Sequence, residues 1–205
     1  MTYVWINPVV EKLYDPKALT QVLDTLGMTR FINQENHVQD VKNHYQEAVN
    51  QATSCVIDQR CPLAVQHVQS HYPNRSLTYP QIQPILIHAA LEARKNCPST
   101  ALLYITTPCQ SLAELGDSLA LDNTIFLTWR AFVQKFKVQL AAKKLTASPI
   151  PPGFFELKTG QKIANLCNKN QIDFFFQQHQ EETTTLAEML YCQDGCHNGD
   201  GVTDV

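Results

Sequence analysis

Four cysteines stand where the chain turns. Cys61 precedes Pro62, Cys109 follows Pro108, and Cys192 and Cys196 lie in the run Cys-Gln-Asp-Gly-Cys-His-Asn-Gly-Asp-Gly that ends at Gly201. Three of the seven glycines fall within that last segment. Soft metal centres take thiolate ligands, and an iron–sulfur core takes four of them. Glycine lets backbone amides approach such sulfurs, which tunes the reduction potential. A tetrahedral zinc site could use the same donors, although zinc sites commonly draw on Cys-x2-Cys pairs, which this chain lacks. Cys55, Cys97 and Cys167 have no comparable setting and read as small buried hydrophobes. Seven cysteines is an odd total, and residues 1–8 carry neither a positive region nor a long apolar core, so reduced thiols are expected rather than a disulfide framework.

Other groups give weaker chemical signals. His197 adjoins a ligand candidate, where it could tune a cluster, couple proton to electron transfer, or simply shape the loop. Asp194 and Asp200 flank the same run, and negative charge there would lower a cluster's potential or face a partner. His37, His44, His67, His71 and His88 fall among amides and apolar residues and read as solvated or core-edge histidines. Lys135, Lys137, Lys143 and Lys144 read as a solvated face, with docking to an acidic redox protein as the alternative. Neither a GxSxG elbow nor HExxH occurs, which argues against hydrolase chemistry, and GxGxxG is absent too.

Composition narrows the classes further. A net charge of −3 over 205 residues implies no basic field for nucleic acid or an anionic membrane. Charged residues make up 17% of the chain, below the usual figure of about 25%, so much of the polar surface is amide. A hydrophobic fraction of 44% supports a packed core. The longest apolar runs, such as residues 101–105, are too short to span a bilayer. A cytoplasmic protein is expected.

Positioning the cysteines requires alternating elements. Apolar spacing predicts helices over 16–27, 37–51, 84–95, 129–144 and 159–170, and another following Pro62 and ending at Tyr72-Pro73. Short apolar β-prone runs predict strands at 55–57, 101–106 and 124–127, with an aromatic strand at Phe174-Phe175-Phe176 and an apolar run at 186–190 leading to Cys192. Residues 177–185 read as a polar insertion, and Ser148 to Gly153 as a linker. Strands alternating with helices make the fold class α/β.

At these residues the chain resembles the catalytic (H-cluster) domain of the iron-only [FeFe]-hydrogenase large subunit, a family that includes the Nar-type cytosolic iron–sulfur assembly proteins. Ile6-Asn7-Pro8-Val9-Val10 stands where that family opens its domain with an Ala-Pro-Ala-Val type of strand and turn. Residues 18–31 are similar to its first helix, and residues 122–136 to its strand and Thr-Arg-Glu-Leu helix. Cys61-Pro62, followed by Tyr72-Pro73, resembles the family's Cys-Cys-Pro motif and downstream Tyr-Pro. Thr107-Pro108-Cys109 resembles Met-Pro-Cys, and residues 190–199 resemble Met-Ala-Cys-x-Gly-Gly-Cys-x-Asn-Gly.

The resemblance implies that Cys61, Cys109, Cys192 and Cys196 ligate a cubane [4Fe-4S] cluster. It also implies one hydrogenase-like domain over 1–205, built as two small lobes with mixed sheets flanked by helices and the cluster in the cleft between them. The lobes are expected at 53–147 and at 1–52 plus 154–205, joined through the linker 148–153. Departures from the pattern bear on activity. Arg60 replaces a proton-relaying cysteine, Thr107 and Leu190 replace methionines, and Leu112 replaces the lysine that anchors a di-iron subsite. The glycine-rich segment that roofs that subsite has no counterpart between Cys109 and Cys192. A guanidinium stays protonated and cannot relay protons, so Arg60 either places fixed charge beside the cluster or snorkels to solvent. The expected function is therefore a [4Fe-4S]-binding, hydrogenase-like protein in electron transfer, redox sensing or an accessory role, without a di-iron subsite or hydrogen turnover. A divergent or split hydrogenase subunit and a structural zinc-thiolate protein are the alternatives. The expected partner is a redox protein such as a ferredoxin-type subunit.

Overall fold

The structure, a computed structural model, describes residues 1–151 and 153–202. In chain order the first elements are strand β1 (Thr2–Trp5), helices α1 (Pro8–Leu13) and α2 (Pro16–Thr25), β2 (Met28–Phe31), α3 (His37–Gln51) and β3 (Cys55–Ile57). Next come α4 (Pro62–His71), β4 (Leu77–Thr78), α5 (Ile85–Asn96), β5 (Leu102–Thr107), α6 (Gln110–Asp117) and β6 (Thr124–Thr128). The last are α7 (Trp129–Phe136), β7 (Ile163–Leu166), α8 (Lys169–Gln177) and β8 (Leu186–Met189), with single 3-10 turns at Gln180–Thr183 and Cys196–Asn198. Helix starts follow local chemistry. Asn7 and Asp15 accept amide hydrogen bonds ahead of Pro8 and Pro16, each of which supplies a preset φ at the first helical position.

Two compact units divide the chain. Unit 1 comprises Met1–Glu35, Leu86–Pro149 and the segment from Cys196; unit 2 comprises Asn36–Ile85 and Ile150–Gly195. The sheet of unit 1 has the order β2-β1-β5-β6, and that of unit 2 the order β4-β3-β8-β7. Every ladder in both is parallel, from Thr2 opposite Leu102 to Ile163 opposite Leu186. Parallel sheets are covered on both faces. In unit 1, Val4 and Tyr104 pack with Val10, Leu19, Trp129 and Phe132 on one face. Trp5, Leu103 and Ile105 pack with Ile87, Ala90 and Phe126 on the other. In unit 2, Ile57, Ala187 and Met189 face Ala64, Val68, Phe175 and Phe176. Val56 and Leu186 turn the opposite way, toward Tyr45, Phe154 and Phe155.

Several expectations change. The sheets are parallel throughout, not mixed. The lobes expected at 53–147 and at 1–52 plus 154–205 cut across both sheets, because β1 pairs with β5 and β3 pairs with β8. Phe174-Phe175-Phe176 is helical, not a strand. Asn168 caps α8 by accepting from the Gln171 amide, Ile172, Phe175 and Phe176 form its buried stripe, and Phe174 is 58% exposed. Where a helix was expected over 159–170, Ile163–Leu166 is a strand held by β8, a partner some twenty residues away that local periodicity does not reveal. The helix expected over 129–144 stops at Phe136, where Lys137 adopts a left-handed conformation and its amide donates to Val133. Lys137, Lys143 and Lys144 therefore share no helical face. In the expected linker 148–153, Ser148 is buried and Ile150 packs on unit 2, while Pro152 lies outside the described residues. Among the described residues, no helix is long and apolar enough to cross a membrane.

Candidate metal centre

Open parallel sheets collect ligands beyond the C-terminal ends of their central strands. In unit 1 the central strands are β1 and β5, and Cys109 follows β5. In unit 2 they are β3 and β8; Cys61 follows β3 and Cys192 follows β8. Cys196 begins the last segment of unit 1 and packs on that unit's core. Cys61 and Cys109 occupy the same local position, each the residue before a helix, and neither side chain caps its helix.

Unit 1 shows how its two turns are fitted together. The Cys109 sulfur lies 3.5 Å from the Ser111 hydroxyl. Burial pushes the Cys109 thiol up, whereas the Ser111 hydroxyl and the amides of Ser111 and Leu112 pull it back toward the thiolate. Hydrogen-bond donors of this kind suit a metal-bound sulfur. The loop after Cys196 packs directly on the turn before Cys109. A Cβ at Gly199 would lie 2.4 Å from the Pro108 carbonyl oxygen, and one at Gly201 would lie 2.9 Å from it. Only glycine permits this approach. Asp200, between them, accepts the Gln110 amide at 3.0 Å and supplies the cap for α6 that Cys109 does not. His197 is buried with its Nδ1 lacking a hydrogen-bond partner among the described residues, while its Nε2 lies 3.3 Å from the side-chain Nδ2 of Asn198.

In unit 2 the residue before Cys61 does something sequence reasoning missed. Arg60 is neither beside a solvent-facing turn nor snorkelling outward; it is 8% exposed. Its Nη2 donates to Asp58 at 2.7 Å and to Glu188 at 2.9 Å, and its Nε contacts both Asp58 oxygens at 3.0 Å. The guanidinium carbon lies 4.1 Å from the Phe154 ring centre and 4.4 Å from that of Phe155. Burial opposes the charge, but the two carboxylates outweigh it and push the guanidinium further above its ordinary value. The Asp58 and Glu188 contributions had no signature beyond a lone acid just after β3 and another in β8. Alternation offered the clue: Asp58 shares the face of Val56, and Glu188 that of Leu186.

The remaining candidates sort plainly. Leu112 packs in the unit 1 core beside Ile105 and Phe126, and Thr107 is buried with its hydroxyl donating to the Cys109 carbonyl. Cys55 and Cys97 are buried, and burial pushes the Cys55 thiol up to about 12, far from a ligating thiolate. Cys167 follows β7, and its carbonyl accepts the Asp194 amide at 3.0 Å, so its backbone is tied to the loop after Cys192. His67 is buried and bonds Asp173 at 2.6 Å, while Tyr72 donates to the same carboxylate at 3.0 Å. A cavity of about 670 Å³ lined by Ser54, Arg75, Ser76, His179 and Glu181 opens at the start of β3, the end of the sheet away from the cysteine turns.

No protein-family model matches the chain, and no curated protein matches it in sequence. Solved structures do resemble it. Two variants of [FeFe]-hydrogenase HydA1 from Chlamydomonas reinhardtii, one of them in the apo form, align with 98% of this chain and 79% of theirs, at 13% identity and a TM-score of 0.57. A further [FeFe]-hydrogenase structure aligns with 98% of this chain and 80% of its own, at 11% identity and a TM-score of 0.56. The chain has a hydrogenase-like α/β fold.

Proposed function

We propose that the chain binds a [4Fe-4S] cluster through Cys61, Cys109, Cys192 and Cys196 and serves in electron transfer, redox sensing or as an accessory subunit, with a ferredoxin-type protein as its redox partner. One observation carries the reading: Cys61, Cys109 and Cys192 each leave a central strand at its C-terminal end. The close packing of Gly199 and Gly201 on Pro108, which fixes the Cys196 loop in unit 1, supports it. Such a cluster supplies one-electron redox chemistry.

The chain's own residues hold and tune. Burial and Asp200 push the Cys109 thiol up, and the Ser111 hydroxyl and the amides at the start of α6 act against that rise. Buried Leu112 offers no polar atom to anchor a second metal site, and the Arg60 guanidinium is committed to Asp58 and Glu188 and relays no proton. Both features support a role without hydrogen turnover. Purification without oxygen, followed by iron, sulfide and zinc analysis, tests the reading. About four iron and four sulfide per chain are expected; a colourless protein holding zinc, or no metal after reconstitution with ferrous iron and sulfide, overturns it.

A further inference from the structure

We infer that Arg60, with Asp58 and Glu188, is a positioning clamp that sets the Cys61 and Cys192 turns of unit 2 against one another before any metal arrives. The inference rests on the reading of those two cysteines as ligands. β3 and β8 are hydrogen-bonded neighbours, with Val56 opposite Leu186 and Ile57 opposite Ala187, and their pairing ends just as the chain leaves toward the two cysteines. Side chains take over from there. The Asp58 carboxylate accepts the Arg60 backbone amide at 3.0 Å, closing the tight turn that delivers Cys61. The other Asp58 oxygen accepts the Met189 amide at 3.4 Å, across to β8.

The Arg60 fork closes the link, binding Asp58 in its own turn after β3 and Glu188 on β8, with the planar group packed on Phe154 and Phe155. Glu188 also accepts the Phe154 amide at 3.1 Å, which fixes those rings in place. All three charged side chains are at least nine-tenths buried. A buried set with two carboxylates and one cation is a poor way to gain stability, since desolvation offsets most of the attraction. What it provides is geometry: a bidentate planar fork permits one spacing between its partners. Arg60 lies next to Cys61, and Glu188 is four residues before Cys192, so that spacing is passed to both ligand turns. The Oε2 of Glu188 has no hydrogen-bond partner among the described residues, so Glu188 is held through its Oε1 alone, by Arg60 and the Phe154 amide.

Two variants separate a clamp from plain structural support. Arg60→Lys keeps the charge and loses the fork. The triple variant Asp58→Asn, Arg60→Met, Glu188→Gln removes all charge from the buried site, so no unpaired ion is left to unfold it. After anaerobic loading with ferrous iron and sulfide, the release of iron to a chelator and the midpoint potential are measured on the folded fraction. Both variants are expected to release iron at least tenfold faster than the wild type, with a shifted potential, at melting temperatures that do not track the loss. Wild-type release and potential in a folded triple variant overturn the clamp; if that variant does not fold, wild-type values in Arg60→Lys overturn it. A wild-type chain that never loads iron defeats the ligand reading itself, a result distinct from either.

Discussion

The amide of Gly201 donates to the carbonyl of Pro108 at 3.1 Å, which ties the loop after Cys196 to the residue before Cys109. Cysteines far apart in sequence thereby share one small region of unit 1. The same carbonyl is the nearest atom to a Cβ built on Gly199. Since the Pro108 backbone fills the space at both glycines, joined at Gly201 by the Thr128 Cβ, Gly199→Ala and Gly201→Ala are each expected to lower stability by about 1–3 kcal/mol in urea unfolding. Unchanged midpoints in both would show that the loop is not held on Pro108.

Asp200 acts through the helix that follows Cys109. Its carboxylate replaces the missing cap at the start of α6, so Asp200→Ala is expected to cost about 1 kcal/mol, with Asp200→Asn retaining most of the stability. Equal losses in the two variants would remove the capping role and leave only charge.

Asp173 gives unit 2 a pH signature. Burial pushes its carboxyl up, but hydrogen bonds from Lys169, His67 and Tyr72 prevail and hold it at about 2, below its ordinary 3.8. A carboxyl lowered on folding stabilises above its unfolded value and loses that contribution as pH falls toward its folded value. Stability is therefore expected to decline between about pH 4 and pH 2, and Asp173→Asn is expected to flatten that part of the profile. A wild-type profile that is level in this window contradicts the assignment.

The alternation of strands and helices was legible where signals are local. Pro16 and Pro62 mark helix starts, the 37–51 helix follows its apolar spacing, and the run before Thr107 is a central strand. Failures came where a distant partner decides. β7 needs β8 to be a strand, and β1 and β2 need β5 to show that the N-terminal segment belongs with residues 86–149. Three successive phenylalanines suggested a strand by β propensity, yet the cap at Asn168 and the stripe Ile172, Phe175, Phe176 make a helix. The cysteine turns were visible as Cys-Pro, Pro-Cys and a glycine-rich run. Arg60 was read as a surface or cluster-facing charge because its partners, Asp58 and Glu188, meet it only through the pairing of β3 with β8.

Supplied with hydrogenase maturation factors, the chain is expected to evolve no hydrogen from reduced viologen above a buffer blank. Arg60 holds its proton at every working pH, and Leu112 is spent in the core. Hydrogen evolution that disappears in Cys192→Ser would instead make the chain a divergent hydrogenase subunit.

The central claim is the ligand set, and iron and sulfide analysis of a cysteine-to-serine series tests it most directly. Each of Cys61→Ser, Cys109→Ser, Cys192→Ser and Cys196→Ser is expected to lose most of the iron and sulfide of the anaerobically loaded protein. Cys55→Ser, Cys97→Ser and Cys167→Ser are expected to keep nearly all of it. A series in which Cys167→Ser empties the protein while Cys61→Ser leaves it loaded would contradict the assignment.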